Sequence, residues 1–184
     1  MPGPTKIMFI RHGEKSLGPP PLGVKEDVTE CKHSLIPQGW ERAGALIGFF
    51  VNPNRSEIAT PTYIYAAPPD GEADSPTALD IDRSHRPVQT VTPLSRKLQL
   101  PLDERFTVGQ EPAIAADIKS RSGVVLVSWE HKHIPLIASV FNSTVPDKWP
   151  DRFDLVWVLD AKPDGTFGFK IIPQLLLGTD QPVS

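Results

Sequence analysis

The chain has 184 residues and a formal net charge of -3 with both signs interspersed, which suits one domain with a sizeable core and leaves no basic field for gripping long nucleic acid. Its single cysteine, Cys31, excludes an internal disulfide and a thiolate cluster for zinc, and fits a reducing compartment. Proline, at 21 residues against an ordinary share of about 5%, clusters at Pro19-Pro20-Pro21 and at Pro61, Pro68, Pro69 and Pro76, where ordered loops are expected.

The first element is the apolar run Ile7-Met8-Phe9-Ile10, which reads as a buried strand of a parallel sheet. It is too short for a secretory h-region or a membrane span and is interrupted by Arg11, so a cytoplasmic protein with no membrane contact is expected. Residues 15 to 34, rich in Pro, Gly and charge, read as a loop. "PQGWERAGALIGFFV" then places Trp40, Ala43, Ile47, Phe50 and Val51 at helical spacing, with Pro37 at the first helical position and a poor cap in Ile36. "TYIYAA" from Thr62 is a second strand, and residues 68 to 82 a loop with Pro-Asp-Gly and Ser-Pro signals.

"RPVQTVTPLSRKL" reads as a helix with Val88, Val91, Leu94, Ser95 and Leu98 along one stripe, kinked or restarted at Pro93 with Thr92 as a second cap. "EPAIAADIKSR" is a short helix ended by Gly123. "VVLVSW" is the most apolar strand and runs into Glu130-His131, and "IPLIASVF" is the helix after it. "DLVWVLD" and "FGFKII" flank Pro163-Asp164-Gly165 as a terminal hairpin. The alternation predicts an α/β fold: a mainly parallel sheet with helices on both faces and a C-terminal hairpin.

Chemistry in such sheets sits at the carboxyl ends of the strands. Two strand ends here carry a histidine: His12 after "IMFIR" and His131 after "VVLVSWE". Arg11 and Arg86 add forked, permanently charged donors. Two arginines and two histidines suit a phosphoryl dianion, which needs such donors for its equatorial oxygens and an in-line nucleophile. Neutral imidazole can be that nucleophile near pH 7.

Arg11-His12-Gly13-Glu14, "QGWERA" at 38–43, "RPVQT" at 86–90 and "SWEH" at 128–131 together resemble the histidine phosphatase superfamily, of phosphoglycerate-mutase-like fold. The resemblance spans roughly residues 5 to 140 and makes 1–184 one histidine-phosphatase-like domain. It implies that His12 is the phosphorylated nucleophile, that Arg11, Arg86 and His131 form the phosphate pocket, and that Gly13 permits close backbone approach. It implies no cofactor and no metal. The ligand it implies is a small phosphorylated molecule or inorganic phosphate.

The chain departs from the family pattern in three places. Residues 68–84 separate the second strand from the arginine helix, which makes Arg83 a rival to Arg86; the spacing to Gln89-Thr90 favours Arg86. Lys132-His133 follow the second histidine where the family usually has glycine. The large insertion of glycolytic mutases is missing, which points to phosphomonoester hydrolysis.

The proton donor has candidates in Asp103, Glu104, Glu111 and Glu130. In phosphatases of this family the acid tends to lie some two dozen residues beyond the helix arginine, which favours Glu111, with Glu104 and Glu130 in reserve. The competing reading of Glu111 is an ordinary carboxylate at a helix start.

Two other functions compete. One is a phosphate-binding module of the same fold without catalysis. The other is a divalent-metal hydrolase using His12, His131, His133 and a carboxylate; it ranks last, because His131 and His133 share a face only in an extended strand and the sequence turns helical there. His33, His85 and His133 are expected at the surface or the pocket rim. Lys15, Arg83 and Lys132 could attract an anion, and Trp129 and Trp157 belong to the core.

Overall fold

Ile7, Met8, Phe9 and Ile10 are fully buried at the heart of β1 (Pro4–Arg11), the burial a strand receives when both faces of its sheet are covered. Our computed structural model describes residues 3–18, 20–70 and 84–183. The remaining elements are α1 (Pro37–Val51), β2 (Tyr63–Ala66), α2 (Arg86–Leu98), β3 (Leu102–Asp103), α3 (Glu111–Lys119), β4 (Gly123–Trp129), α4 (Ile134–Ala138), β5 (Leu155–Ala161) and β6 (Phe167–Pro173). They build a six-stranded sheet in the order β3-β2-β4-β1-β5-β6. β3, β2, β4 and β1 run parallel, and β5 pairs antiparallel with both β1 and β6.

The period-two alternation along β1 sorts the core into two halves. Ile7 and Phe9 join Ile114, Ile118, Ile134 and Ile137 of α3 and α4. Met8 and Ile10 face Leu46 and Phe50 of α1 and Val91 and Leu94 of α2. Helices therefore cover both faces, and β5 and β6 form the expected hairpin. Among the described residues no helix is long and apolar enough to cross a membrane.

Some details differ from the sequence reading. α1 turns Arg42 and Leu46 inward, while Ile47 is only partly buried. α2 runs through Pro93 as one element, and Thr92 donates its hydroxyl to Val88 O within the helix instead of capping a second segment. α3 ends at Lys119 with Ser120 as its C-cap, and Gly123, at φ 93°, opens β4. α4 is shorter than "IPLIASVF" suggested. The two-residue β3 had no pattern to betray it. Loop 68–82 lies outside the described residues from position 71 to its end, and so does Arg83.

Candidate active site

β1 and β4 end side by side, Arg11 opposite Trp129, so the residues after each strand leave the same sheet edge. His12 is 3% exposed, with Nδ1 2.7 Å from Gly13 O. A carbonyl oxygen only accepts, so Nδ1 carries the proton and the Nε2 lone pair stays unprotonated. Burial is the main force on this imidazole. Gly13 O favours its cation, but Arg11, Arg86 and Lys15 oppose it, and the pKa falls from 6.5 to about 3. The ring is neutral at neutral pH, the state a nitrogen nucleophile requires.

The turn after β1 is pressed onto α1. Gly13 donates its N–H to Thr90 Oγ1 at 2.8 Å, and the Thr90 hydroxyl donates to Arg86 O at 2.7 Å. A Cβ at Gly13 would stand 3.0 Å from Gly39 O, and one at Gly39 only 2.6 Å from Glu14 O. The close approach that Gly13 permits is thus to α1, and the "QGWERA" glycine is its counterpart. Glu14 then pairs with Arg42, whose guanidinium is also held by Asp180.

Arg11 is almost wholly buried. Its Nη1 donates to Asp151 Oδ1 at 3.0 Å, and its guanidinium carbon lies 4.0 Å from the centroid of the Phe153 ring. Its Nε is buried with no hydrogen-bond partner among the described residues. The Phe153 ring lies 5.9 Å from that of His12. Arg86, first residue of α2, donates from Nε to Ser34 O at 3.2 Å and from Nη2 to Lys32 O at 2.6 Å, and its charge acts on His12.

His131 turns off the end of β4 with Nδ1 2.7 Å from Glu130 Oε1, close but out of line for a hydrogen bond. Glu130 Oε2 accepts from Lys132 N at 2.7 Å. Burial pushes the Glu130 carboxyl up, but His131 and the Lys132 N–H outweigh it and hold the group below the usual carboxylate range. Glu130 is therefore kept ionised.

Glu111 is buried at the start of α3. Its Oε1 accepts from Gly109 N at 2.9 Å and Trp129 Nε1 at 3.4 Å, and lies 2.9 Å from His133 Nδ1. It thus meets the end of β4 from the α3 side. Asp103 and Glu104 belong to the far edge, at and just after β3, with two strands between β3 and β1, so roughly 14 Å of sheet separates them from His12. Asp103 is tied to Arg105 and Arg121, and burial raises the Glu104 carboxyl.

The sheet edge therefore gathers Arg11, His12, Arg86 and His131, with Glu111 alongside. His33, expected at the rim, is buried. His131 and His133 address different carboxylates, and no group of three or more His, Cys, Asp or Glu among the described residues could hold a metal ion. Sequence reasoning missed Asp151 and Phe153. Because β5 is antiparallel to β1, its entering end returns to the edge where β1 stops; the hairpin pattern was the one available signal. Beside Phe153 opens a cleft of about 750 Å³, lined among others by Lys15, Leu17, Gln38, Asp151 and Arg152.

No protein-family model and no curated protein matches the chain. Solved structures do. The protein histidine phosphatase SixA complexed with tungstate is 12% identical, with a TM-score of 0.54 over 92% of this chain and 97% of that one. A phosphoglycerate mutase from Bacillus anthracis is 11% identical, with a TM-score of 0.54 over 91% and 92%. A provisionally assigned alpha-ribazole-5'-P phosphatase from Escherichia coli K-12 is 11% identical, with a TM-score of 0.56 over 96% and 100%. The chain has the α/β fold that these structures share, a phosphoglycerate-mutase-like fold.

Proposed function

We propose that the protein is a phosphomonoester hydrolase working through a phosphohistidine at His12 on a small phosphorylated substrate. The observation that carries this reading is the His12 ring, which is buried and neutral, with Nδ1 committed to Gly13 O and Nε2 unprotonated among the charges of Arg11 and Arg86. Nε2 attacks phosphorus, and the P–N bond forms as the bond to the leaving oxygen breaks. Arg11, Arg86 and His131 hold the non-bridging oxygens. Glu111 gives the leaving oxygen its proton. Water then attacks the phosphohistidine, its proton returns to Glu111, and inorganic phosphate departs.

The mutases of this fold transfer the phosphoryl group instead. Between α2 and β4 this chain carries only β3 and α3, without the insertion of glycolytic mutases, which supports hydrolysis. The SixA structure is of a protein histidine phosphatase, and the cleft beside Phe153 has room for the non-phosphate part of a substrate.

Rapid quench with labelled aryl phosphate tests the mechanism. Acid-labile, alkali-stable label is expected on His12 and absent from His12→Ala; label on a serine or aspartate overturns it. Turnover unaffected by chelator excludes the metal reading, and absence of any turnover favours a binding module. Glu111→Gln should slow an alkyl phosphate by roughly 10²-fold or more while sparing an aryl phosphate whose phenolate leaves unaided. Equal loss on both would make Glu111 a structural cap.

A further inference from the structure

The partner of Arg11 is unusual for a buried arginine. The Asp151 side chain is 98% exposed while that of Arg11 is 3% exposed, and among the described residues its carboxylate makes no hydrogen bond besides the one to Nη1. Three basic groups act on it: Arg11 above all, then His131 and Lys15, which hold it below the usual carboxylate range. The first two are the proposed phosphate donors. An exposed aspartate swings into water at small cost. The loop need not follow, because Phe153 stays packed on Arg11.

We infer that Asp151 is an internal competitor for the phosphate position on Arg11, displaced when a phosphoryl group binds and returning when inorganic phosphate leaves. In the ligand-free protein the carboxylate supplies the anion that Arg11 lacks. An arriving phosphoryl group displaces it, offering more acceptor oxygens and a second charge. After hydrolysis the tethered carboxylate competes with the product for Arg11 and speeds its release. The inference rests on the phosphatase reading of the site and extends it to a residue that controls product affinity.

The test is titration calorimetry with inorganic phosphate. Asp151→Ala should bind phosphate about three- to ten-fold more tightly than the unmodified protein, and phosphate should inhibit turnover more strongly in the same proportion. Asp151→Glu, which keeps the charge on a longer arm, should remain close to the unmodified protein. In an Arg11→Ala background the Asp151→Ala change should have no effect, since the competition is for that guanidinium. Unchanged or weaker phosphate binding in Asp151→Ala overturns the inference and leaves the phosphatase reading standing. So does a tightening that persists without Arg11, which would be general repulsion. Loss of alkyl-phosphate turnover at unchanged phosphate affinity would make Asp151 a proton donor instead. Failure of the unmodified protein to bind phosphate at all would overturn both readings.

Discussion

Arg11 and Arg42 are both buried arginines, one at the end of β1 and the other paired with Glu14 just beyond it, and they are satisfied in opposite ways. Arg42 donates from Nε and Nη2 to Glu14 and from Nη1 and Nη2 to Asp180, and Gln174 Oε1 accepts from Nη1 at 2.8 Å. Burial works against its charge, but Asp180 and Glu14 outweigh it and raise its pKa. Among the described residues Arg11 has a single exposed carboxylate, an aromatic ring and an Nε with no hydrogen-bond partner. A guanidinium enclosed by its own chain holds structure together. In the proposed phosphatase, one left short of acceptors is the group that takes up an anion. The same residue type at similar burial does different work, and the difference lies in the partner list.

Removing either side chain sharpens this contrast. Arg42→Met strands Glu14 and Asp180 as buried carboxylates and should lower unfolding free energy in urea by about 3–5 kcal/mol. Arg11→Met should cost under about 1 kcal/mol of stability, because its partner is already exposed. Phosphate affinity should instead fall by about 1.5–3 kcal/mol. Equal stability losses in the two variants would erase the distinction.

The pH dependence of stability offers a second test. The folded pKa of His12, about 3, lies below its ordinary 6.5, so the unfolded chain binds this proton more readily. Stability should therefore fall on acidification from 6.5 towards 3, by about 2 kcal/mol at pH 5 for this group. His12→Asn should flatten that window. The Asp180 carboxyl, despite its burial, is held low by Arg42. Its contribution is present above the ordinary aspartate range and is lost only as the pH falls through its folded pKa, below about 4. Arg42→Met should remove this lower step and leave the His12 window in place.

The smallest effects concern the glycines that let Glu14 reach Arg42. Gly39→Ala pushes a methyl group to 2.6 Å from Glu14 O and should destabilise by about 1–3 kcal/mol. Gly44→Ala, in open space on the same helix, should stabilise by roughly 0.5–1 kcal/mol. If both gained stability, the turn after β1 would not depend on close backbone approach.

The sequence made local structure readable where one residue's neighbours along the chain decide it. α1 begins at Pro37 and ends at Val51 as the pattern and the helix-starting proline indicate, and the strand ends carrying His12 and His131 follow from unbroken apolar runs. Arg86 at the start of α2 follows from the same local pattern. Asp151 and the Glu14–Arg42–Asp180 cluster were hidden, because each joins segments that meet only through strand pairing. Glu14 and Arg42 both stood inside quoted motifs, yet nothing local says that one will neutralise the other. β3 was invisible because two residues carry no period, and α4 was overestimated because apolar residues continue past the helix into a turn.

The position of β1 in the sheet also bears on how the protein is made. β1 lies between β4 and β5, with Pro4 opposite Gly123 and Lys6 opposite Asp160. Of the six strands of this sheet, the one that delivers His12 comes earliest in the chain, and both of its partners come much later. Until β4 and β5 have left the ribosome, four consecutive large apolar residues have no sheet to enter. Such distant pairing slows folding and lengthens the exposure of an aggregation-prone strand. The nascent chain therefore carries His12 long before the sheet edge that holds it exists, with Ile7 to Ile10 exposed in the meantime.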